Sequence, residues 1–243
     1  MKKTVTIILC AVLVLALCAG AFILFSPGSS GECGNGVKWK YNLLNKTLTV
    51  SGKGEMTNFN DIGLDPPWFE NYRQSVKSVV IRSGVTSVGD FAFDGMGIES
   101  VSLPEGLVYI GKSAFAFSEL SQVALPESLE TIGEGAFIGS ALTELTVPEN
   151  VSSIGPWAFR HCEELVSVTV KGKITILEAE TFALCHSLEE LSLPLTLKAI
   201  EHDALMDCTA LETVIFEGSD TEWKKISIAE GNGLSGTEII CNR

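Results

Sequence analysis

Glycine follows an aliphatic residue at Val88-Gly89, Ile110-Gly111, Ile132-Gly133 and Ile154-Gly155, a spacing of 22 residues, and the phase continues at 23 through Leu177-Glu178 and Ile200-Glu201. A large apolar residue stands four positions after each: Phe93, Phe115, Phe137, Phe159, Phe182 and Leu205. Pro104, Pro126 and Pro148 keep the same period, and Pro194 follows 46 residues after Pro148, with Lys171 at the skipped position. A unit this short cannot bury a core by itself. The repeat therefore excludes most globular folds and demands that consecutive units stack and share one interior.

The added residue of the longer units has a fixed address. From the large apolar residue to the next strand's Leu or Ile is five residues in Phe93 to Ile98, Phe115 to Leu120 and Phe137 to Leu142, but six in Phe159 to Leu165, Phe182 to Leu188 and Leu205 to Leu211. The wider turns carry Cys162, Cys185 and Cys208, which predicts thiols filling them from inside. Elsewhere in each unit apolar residues alternate, as in Leu120, Val123 and Leu125, or Leu142, Leu145 and Val147. Period-two burial describes a strand with one face on a core. Residues 151–159 then turn at Gly155, where glycine supplies dihedral freedom, and return Phe159 to the same interior. Stacked at about 4.8 Å, about seven units make a body roughly 30 to 35 Å long.

A stack of this kind needs its two ends covered. Residues 38–41 and 47–51, joined across Asn45-Lys46, predict a hairpin over the first unit. At the far end Ser219-Asp220-Thr221-Glu222 has the pattern of a capping box opening a short helix, which leaves Trp223 to lie over the last unit. Trp39 and Trp223 are read as packing residues of these caps.

The units resemble the BspA-type leucine-rich repeats of bacterial surface proteins. The family pattern of Leu, Val, Leu-Pro, Val, Ile-Gly, Ala-Phe and Cys is matched by Leu120, Val123, Leu125-Pro126, Leu129, Ile132-Gly133 and Ala136-Phe137, with Cys162 supplying the cysteine. The likeness extends to the flanks. Gly31-Glu32-Cys33-Gly34 with Trp39, residues 47–52 and Pro67-Trp68 resemble the family's opening segment, and Thr221-Glu222-Trp223 with Ile226 resembles its closing one. Lys171, Glu178 and Glu201 depart from the pattern. The resemblance implies a leucine-rich-repeat solenoid, mainly β with short helical turns, an N-terminal β-hairpin cap and a short C-terminal helical cap. It further implies adhesion or host and matrix contact through protein binding.

Four segments follow: an export segment over residues 1–30, an N-terminal cap over 31–75, the repeat solenoid over 76–217 and a C-terminal cap over 218–243. Lys2 and Lys3 precede an uncharged stretch, residues 4–25, long enough to span a bilayer as a transmembrane helix. The same stretch has the build of a signal peptide, since Ala19-Gly20-Ala21 fits a small-x-small cleavage rule. Both readings stand, cleaved signal or uncleaved anchor. Either way the positive start stays inside and the remainder crosses, so the protein is expected in the envelope facing outward, or secreted, touching membrane only through its N-terminal segment.

With 46% hydrophobic and 19% charged residues the chain is not disordered. A formal net charge of −13 excludes a nucleic-acid partner, because phosphate binders gather cationic side chains on one face. Gly106-Leu107-Val108-Tyr109-Ile110-Gly111-Lys112-Ser113 satisfies the phosphate-loop pattern, yet Gly111 is the repeat glycine and Lys112 is replaced by Asp90, Glu134 or Pro156 elsewhere in the array. His161-Cys162 and Cys185-His186 suggest zinc, but the cysteines are 23 apart on one inward column while the histidines flank them on opposite sides. Reduced, stacked thiols are the reading; five cysteines follow the export segment, and no disulfide is assigned. No cofactor, metal site or catalytic group is predicted.

In each strand the residues flanking the buried positions point outward. One column is Val80, Ser102, Ala124, Thr146, Thr169, Ser192 and Ile215; the preceding one is Ser78, Ser100, Gln122, Glu144, Ser167, Glu190 and Thr213. Ten of these form the candidate partner-binding face: Ser100, Ser102, Gln122, Ala124, Glu144, Thr146, Ser167, Thr169, Glu190 and Ser192. Small, mostly hydroxylic residues offer a shallow surface for an extended or convex partner. Scattered carboxylates such as Glu127, Glu130, Glu144 and Glu149 are a solvated surface or an acidic face for a cationic protein. The expected function is non-enzymatic binding of an extracellular or host protein at the cell surface, or after secretion; the alternative is a structural spacer or assembly component of the bacterial envelope.

Overall fold

The computed structural model describes residues 29–59 and 63–242. Residues 1–28 of the export segment, including its uncharged stretch 4–25, lie outside them. Among the described residues no helix is long and apolar enough to cross a membrane.

The chain winds as a β-solenoid of about seven turns. One side of the coil is built from parallel strands that stay in phase with the repeat. Ser78–Ile81 pairs Ser100–Ser102, and further along Glu144–Val147, Ser167–Val170, Glu190–Leu193, Thr213–Phe216 and Glu238–Cys241 pair in succession. A second side stacks two-residue strands such as Tyr109–Ile110, Thr131–Ile132 and Ser153–Ile154. The third side, the turn that carries phenylalanine, is hydrogen-bonded as well: Phe115 N donates to Ala136 O at 2.8 Å and Phe117 N to Ile138 O at 2.7 Å, and each later turn repeats the pattern. Helix among the described residues is confined to Phe69–Tyr72 and Asp220–Trp223. The remaining turns are closed by bonds such as Ala114 N to Gly111 O at 3.2 Å.

Six rings run through the core as one column. Trp68, Phe93, Phe115, Phe137, Phe159 and Phe182 stack with centroids 5.3 to 5.5 Å apart and interplanar angles of 6 to 17°. All six are fully buried. Trp68 heads the column and anchors itself by donating from Nε1 to Ala92 O at 2.9 Å. At the other end Leu205 replaces the ring. There buried Asn232 accepts from Leu205 N through Oδ1 at 3.0 Å and donates through Nδ2 to Glu201 O and Ala229 O, so an amide satisfies the backbone that another coil would otherwise have met.

The expected hairpin is present as Val37–Asn42 antiparallel to Thr47–Gly52, with an unforeseen third strand, Ser30–Gly34, on its outer side. Thr47–Gly52 pairs parallel with Ser78–Ile81 and so continues the solenoid's own ladder. The capping box at Ser219 forms: its Oγ accepts from Glu222 N, and its N–H donates to Glu222 Oε2 at 2.9 Å. Trp223 packs on Phe216 at 5.5 Å.

Glycine serves the repeat for a different reason than dihedral freedom. Gly111, Gly133 and Gly155 do not have positive φ. What they lack room for is a Cβ: built on Gly133 it would stand 2.7 Å from Gly111 C and Lys112 N, and on Gly155 2.6 Å from Glu134 N. Successive coils touch backbone to backbone there. Where Glu178 replaces glycine the second side is interrupted, for Ser153–Ile154 and Ile176–Leu177 belong to different sheets. The left-handed positions lie two and six residues further on. They are occupied by Phe91, Ser113, Gly135, Trp157, Glu180 and Asp203, and by Gly95, Phe117, Gly139, His161, Leu184 and Asp207.

The three cysteines form the inward column. Cys162, Cys185 and Cys208 are free thiols, donating to Phe137 O, Phe159 O and Phe182 O at 3.3, 3.2 and 3.1 Å. The shorter turns fill the same place with the buried Met96, Ser118 and Ser140. The inserted residue therefore follows the column instead of creating it.

Candidate functional site

The outward columns are in register. Glu144, Ser167, Glu190 and Thr213 stand side by side, as do Thr146, Thr169, Ser192 and Ile215. Ser100 and Ser102 stand beside Ser78 and Val80, and the Ser78 and Ser100 hydroxyls are 2.8 Å apart. Ser100, Ser102, Gln122, Ala124, Glu144, Thr146 and Glu190 are exposed, whereas Ser167, Thr169 and Ser192 are half-buried.

The ten residues are not one continuous sheet. Residues 121–125 carry Gln122 and Ala124 but form no strand, so Ser100–Ser102 ends one five-stranded sheet and Glu144–Val147 begins another. Val123 and Leu125, expected in the core, are only half-buried, as are Val101 and Leu103 in the coil before. Their counterparts Leu145, Val147, Val168 and Val170 are buried. Four core-facing apolar side chains are thus left partly uncovered in a seam at the middle of the hydroxylic face. Alternation alone does not reveal it, because Val123 and Leu125 fit the strand pattern as well as their neighbours do.

Two exposed aromatics stand on the turn side, Phe117 at 60% exposure and Trp157 at 38%. Each occupies one of the two left-handed positions, with φ of 54° and 60°. A signal for Phe117 exists in the repeat, where a bulky ring replaces the glycine of Gly95 and Gly139. Phe117, Gly139, Ser140, Ala141, His161, Glu163 and Glu164 line an open notch of about 410 Å³.

The titratable groups that look most like chemistry have structural partners. Asp90 is buried, accepting from Tyr109 Oη at 3.1 Å and Lys112 N at 2.8 Å. The phosphate-loop look-alike has neither a loop nor a helix in the required places: Tyr109–Ile110 is a strand inside the motif, and Lys112 Nζ lies 2.7 Å from Glu134 Oε1. Burial pushes the Cys162 thiol up to about 11 and Cys208 to about 12. Among the described residues no three His, Cys, Asp or Glu side chains are grouped to hold a metal ion.

Comparison with known proteins places the architecture. The model of the BspA type leucine rich repeat region matches in six copies over residues 66–139 and 109–235. Among solved structures, a leucine-rich repeat protein of Bacteroides ovatus is 20% identical, with a TM-score of 0.54, over 86% of this chain and 70% of its own. The leucine-rich repeat protein of T. pallidum is 22% identical, with a TM-score of 0.53, over 87% of this chain and 100% of its own. The pneumococcal vaccine antigen PcpA is 21% identical, with a TM-score of 0.52, over 84% of this chain and 51% of its own. At these identities the likeness shows the fold alone. No curated protein matches the chain.

Proposed function

The chain belongs to the BspA-type leucine-rich repeat family, and from that premise we propose that it is a non-enzymatic binding protein which recognises an extracellular or host protein through its strand face. The observation that carries this reading is the seam: Val101, Leu103, Val123 and Leu125 pack against the core yet are left only half-buried, at the break between the two registered parts of the hydroxylic surface. Apolar side chains at the centre of a polar patch are the arrangement of a protein interface, where a desolvated core supplies affinity and a polar rim orients the partner. Solenoids commonly bind along such extended faces. Ser100, Ser102, Gln122, Ala124, Glu144, Thr146, Ser167, Thr169, Glu190 and Ser192 form the rim and flanks.

Residues 1–30 carry the protein across the membrane, and residues 31–75 and 218–243 close the two ends of the 76–217 solenoid. The protein then acts in adhesion outside the cytoplasm, anchored or released. Proximity labelling from the full chain on the surface of the source cell tests this. Wild type labels a discrete partner set, and Val123→Arg and Thr146→Arg lose it while the protein remains folded and surface-located. Equal labelling by the variants overturns the assignment. The spacer reading is favoured by the mutual satisfaction of the Ser78 and Ser100 hydroxyls, which leaves fewer free donors for a partner. It requires that neither substitution alter labelling or attachment.

A further inference from the structure

Phe117 belongs to none of the packing just described. Phe115 supplies this coil's ring to the core column, while Phe117 points out at 60% exposure with a left-handed φ of 54°. A bulky side chain is disfavoured at such a φ, and burial does not compensate it here. The coils on either side use Gly95 and Gly139 at the same place.

The ring has a seat. A Cβ on Gly139 would stand 2.6 Å from Phe117 Cδ1 and 2.9 Å from Cε1, so the ring rests against the next coil where only glycine leaves room. Beyond it the following coil presents His161, Glu163 and Glu164, with Glu163 Oε1 3.6 Å from His161 Nδ1. Ser140 and Ala141 also line the notch, and its lining residues include two carboxylates but neither Lys nor Arg. The nearest arginine in sequence, Arg160, is engaged with Glu180 at 3.2 Å.

An aromatic face beside two carboxylates attracts one class of group. The ring quadrupole draws a cation to its face, and carboxylates give a cation charge-assisted hydrogen bonds. A planar guanidinium satisfies both at once by stacking on the ring while its fork reaches an acid. The chain's formal net charge of −13 favours the approach of such a group. We propose that the notch between Phe117 and Glu163–Glu164 receives an arginine side chain of a protein partner, a second contact point on the turn side, away from the strand face. This rests on the protein-binding reading and names the chemistry of one contact.

The test uses the full chain in neutral detergent at physiological salt, with a fluorescein-labelled hexa-arginine peptide as probe and its citrulline counterpart as the uncharged control, read by fluorescence anisotropy. The arginine peptide binds saturably and the citrulline peptide does not. Phe117→Ala, whose fold is checked by its thermal melt, binds about tenfold more weakly, as does the Glu163→Gln, Glu164→Gln pair. Glu105→Gln, which removes an exposed carboxylate that neither lines the notch nor belongs to the strand face, leaves probe binding unchanged. Binding that is non-saturable, equal for Phe117→Ala, or equal for the citrulline peptide overturns the proposal. Failure of the strand-face reading shows elsewhere, as unaltered partner labelling by Val123→Arg, so the two outcomes are separable.

Discussion

Gly133 and Gly135 lie two residues apart and serve opposite purposes, which makes their alanine variants a sharp test of how the coils are held together. At Gly133 a Cβ would stand 2.7 Å from the carbonyl carbon of Gly111 and from Lys112 N, and 3.0 Å from Gly111 O. All three are backbone atoms and cannot rotate aside. Ordinary contact begins at 3.4 Å, so the step between coils has to open by roughly 0.7 Å, on the scale at which overpacking is felt. The bond from Gly133 N to Ile110 O, now 2.8 Å, then stretches to the limit of hydrogen bonding. Losing it removes about 1 kcal/mol and the overpacking about 1 to 3 kcal/mol. Gly133→Ala is therefore expected to cost about 2 to 4 kcal/mol. Gly135 has φ of 58° and room for a Cβ at ordinary contact distances, the nearest atom being Ser113 Oγ at 3.4 Å. Gly135→Ala should cost only the left-handed penalty, about 1 kcal/mol. Urea denaturation followed by far-ultraviolet circular dichroism measures both, with the slope checked for constancy. If Gly135→Ala proves the more damaging, or Gly133→Ala costs less than about 1 kcal/mol, backbone contact between coils is not what the repeat glycine protects.

Three further outcomes are expected. Phe137→Ala, which removes a ring stacked 5.4 Å from Phe115 and 5.5 Å from Phe159, should cost about 3 to 5 kcal/mol through cavity formation, and an unchanged urea midpoint would contradict the ring column. The thiols of Cys162 and Cys208, held by burial at about 11 and about 12 against an ordinary 9.0, favour the folded state while protonated. That contribution is complete below about pH 9 and is lost as pH rises through the folded values, so replacing Cys162, Cys185 and Cys208 with serine should flatten the fall in stability between about pH 9 and pH 11; an equal fall in both proteins refutes it. Phe117→Gly relieves a left-handed ring and should raise stability by up to about 1 kcal/mol while weakening arginine-peptide binding, and a loss of stability in thermal melts would mean that the exposed ring supports the fold.

The repeat phase carries most of the architecture. Residues that recur as one type, Phe93 through Phe182 or Cys162 through Cys208, announce a shared direction, and the structure stacks them accordingly. Positions defined by backbone conformation do not announce themselves. Phe91, Ser113, Trp157, Glu180 and Asp203 share a left-handed φ but no chemistry, so no periodicity of residue type marks their column. The glycine at Gly133 is visible as a repeat, yet a contact across coils and a strained dihedral both select glycine, and only coordinates tell them apart. Ser118 and Ser140 hid in the cysteine column because a hydroxyl and a thiol look unlike in sequence while filling the same space. Ser30–Gly34 has no apolar alternation; its place comes from pairing with Val37–Asn42. Of the candidate face, register and outward direction were legible, but the lapse at residues 121–125 was not, since Val123 and Leu125 carry the strand pattern without forming the strand.

The two lapses in strand pairing fall in different coils and on different sides, one at residues 121–125 and the other between Ile154 and Ile176. Beside the first, Glu130 N still reaches Val108 O at 3.0 Å, and beside the second, Leu145 still pairs Val168. Under tension along its axis, such a rod has no cross-section where every seam gives way at once. Each lapse is backed on another side of the coil by intact backbone pairing, so no step between coils is left to side-chain packing alone.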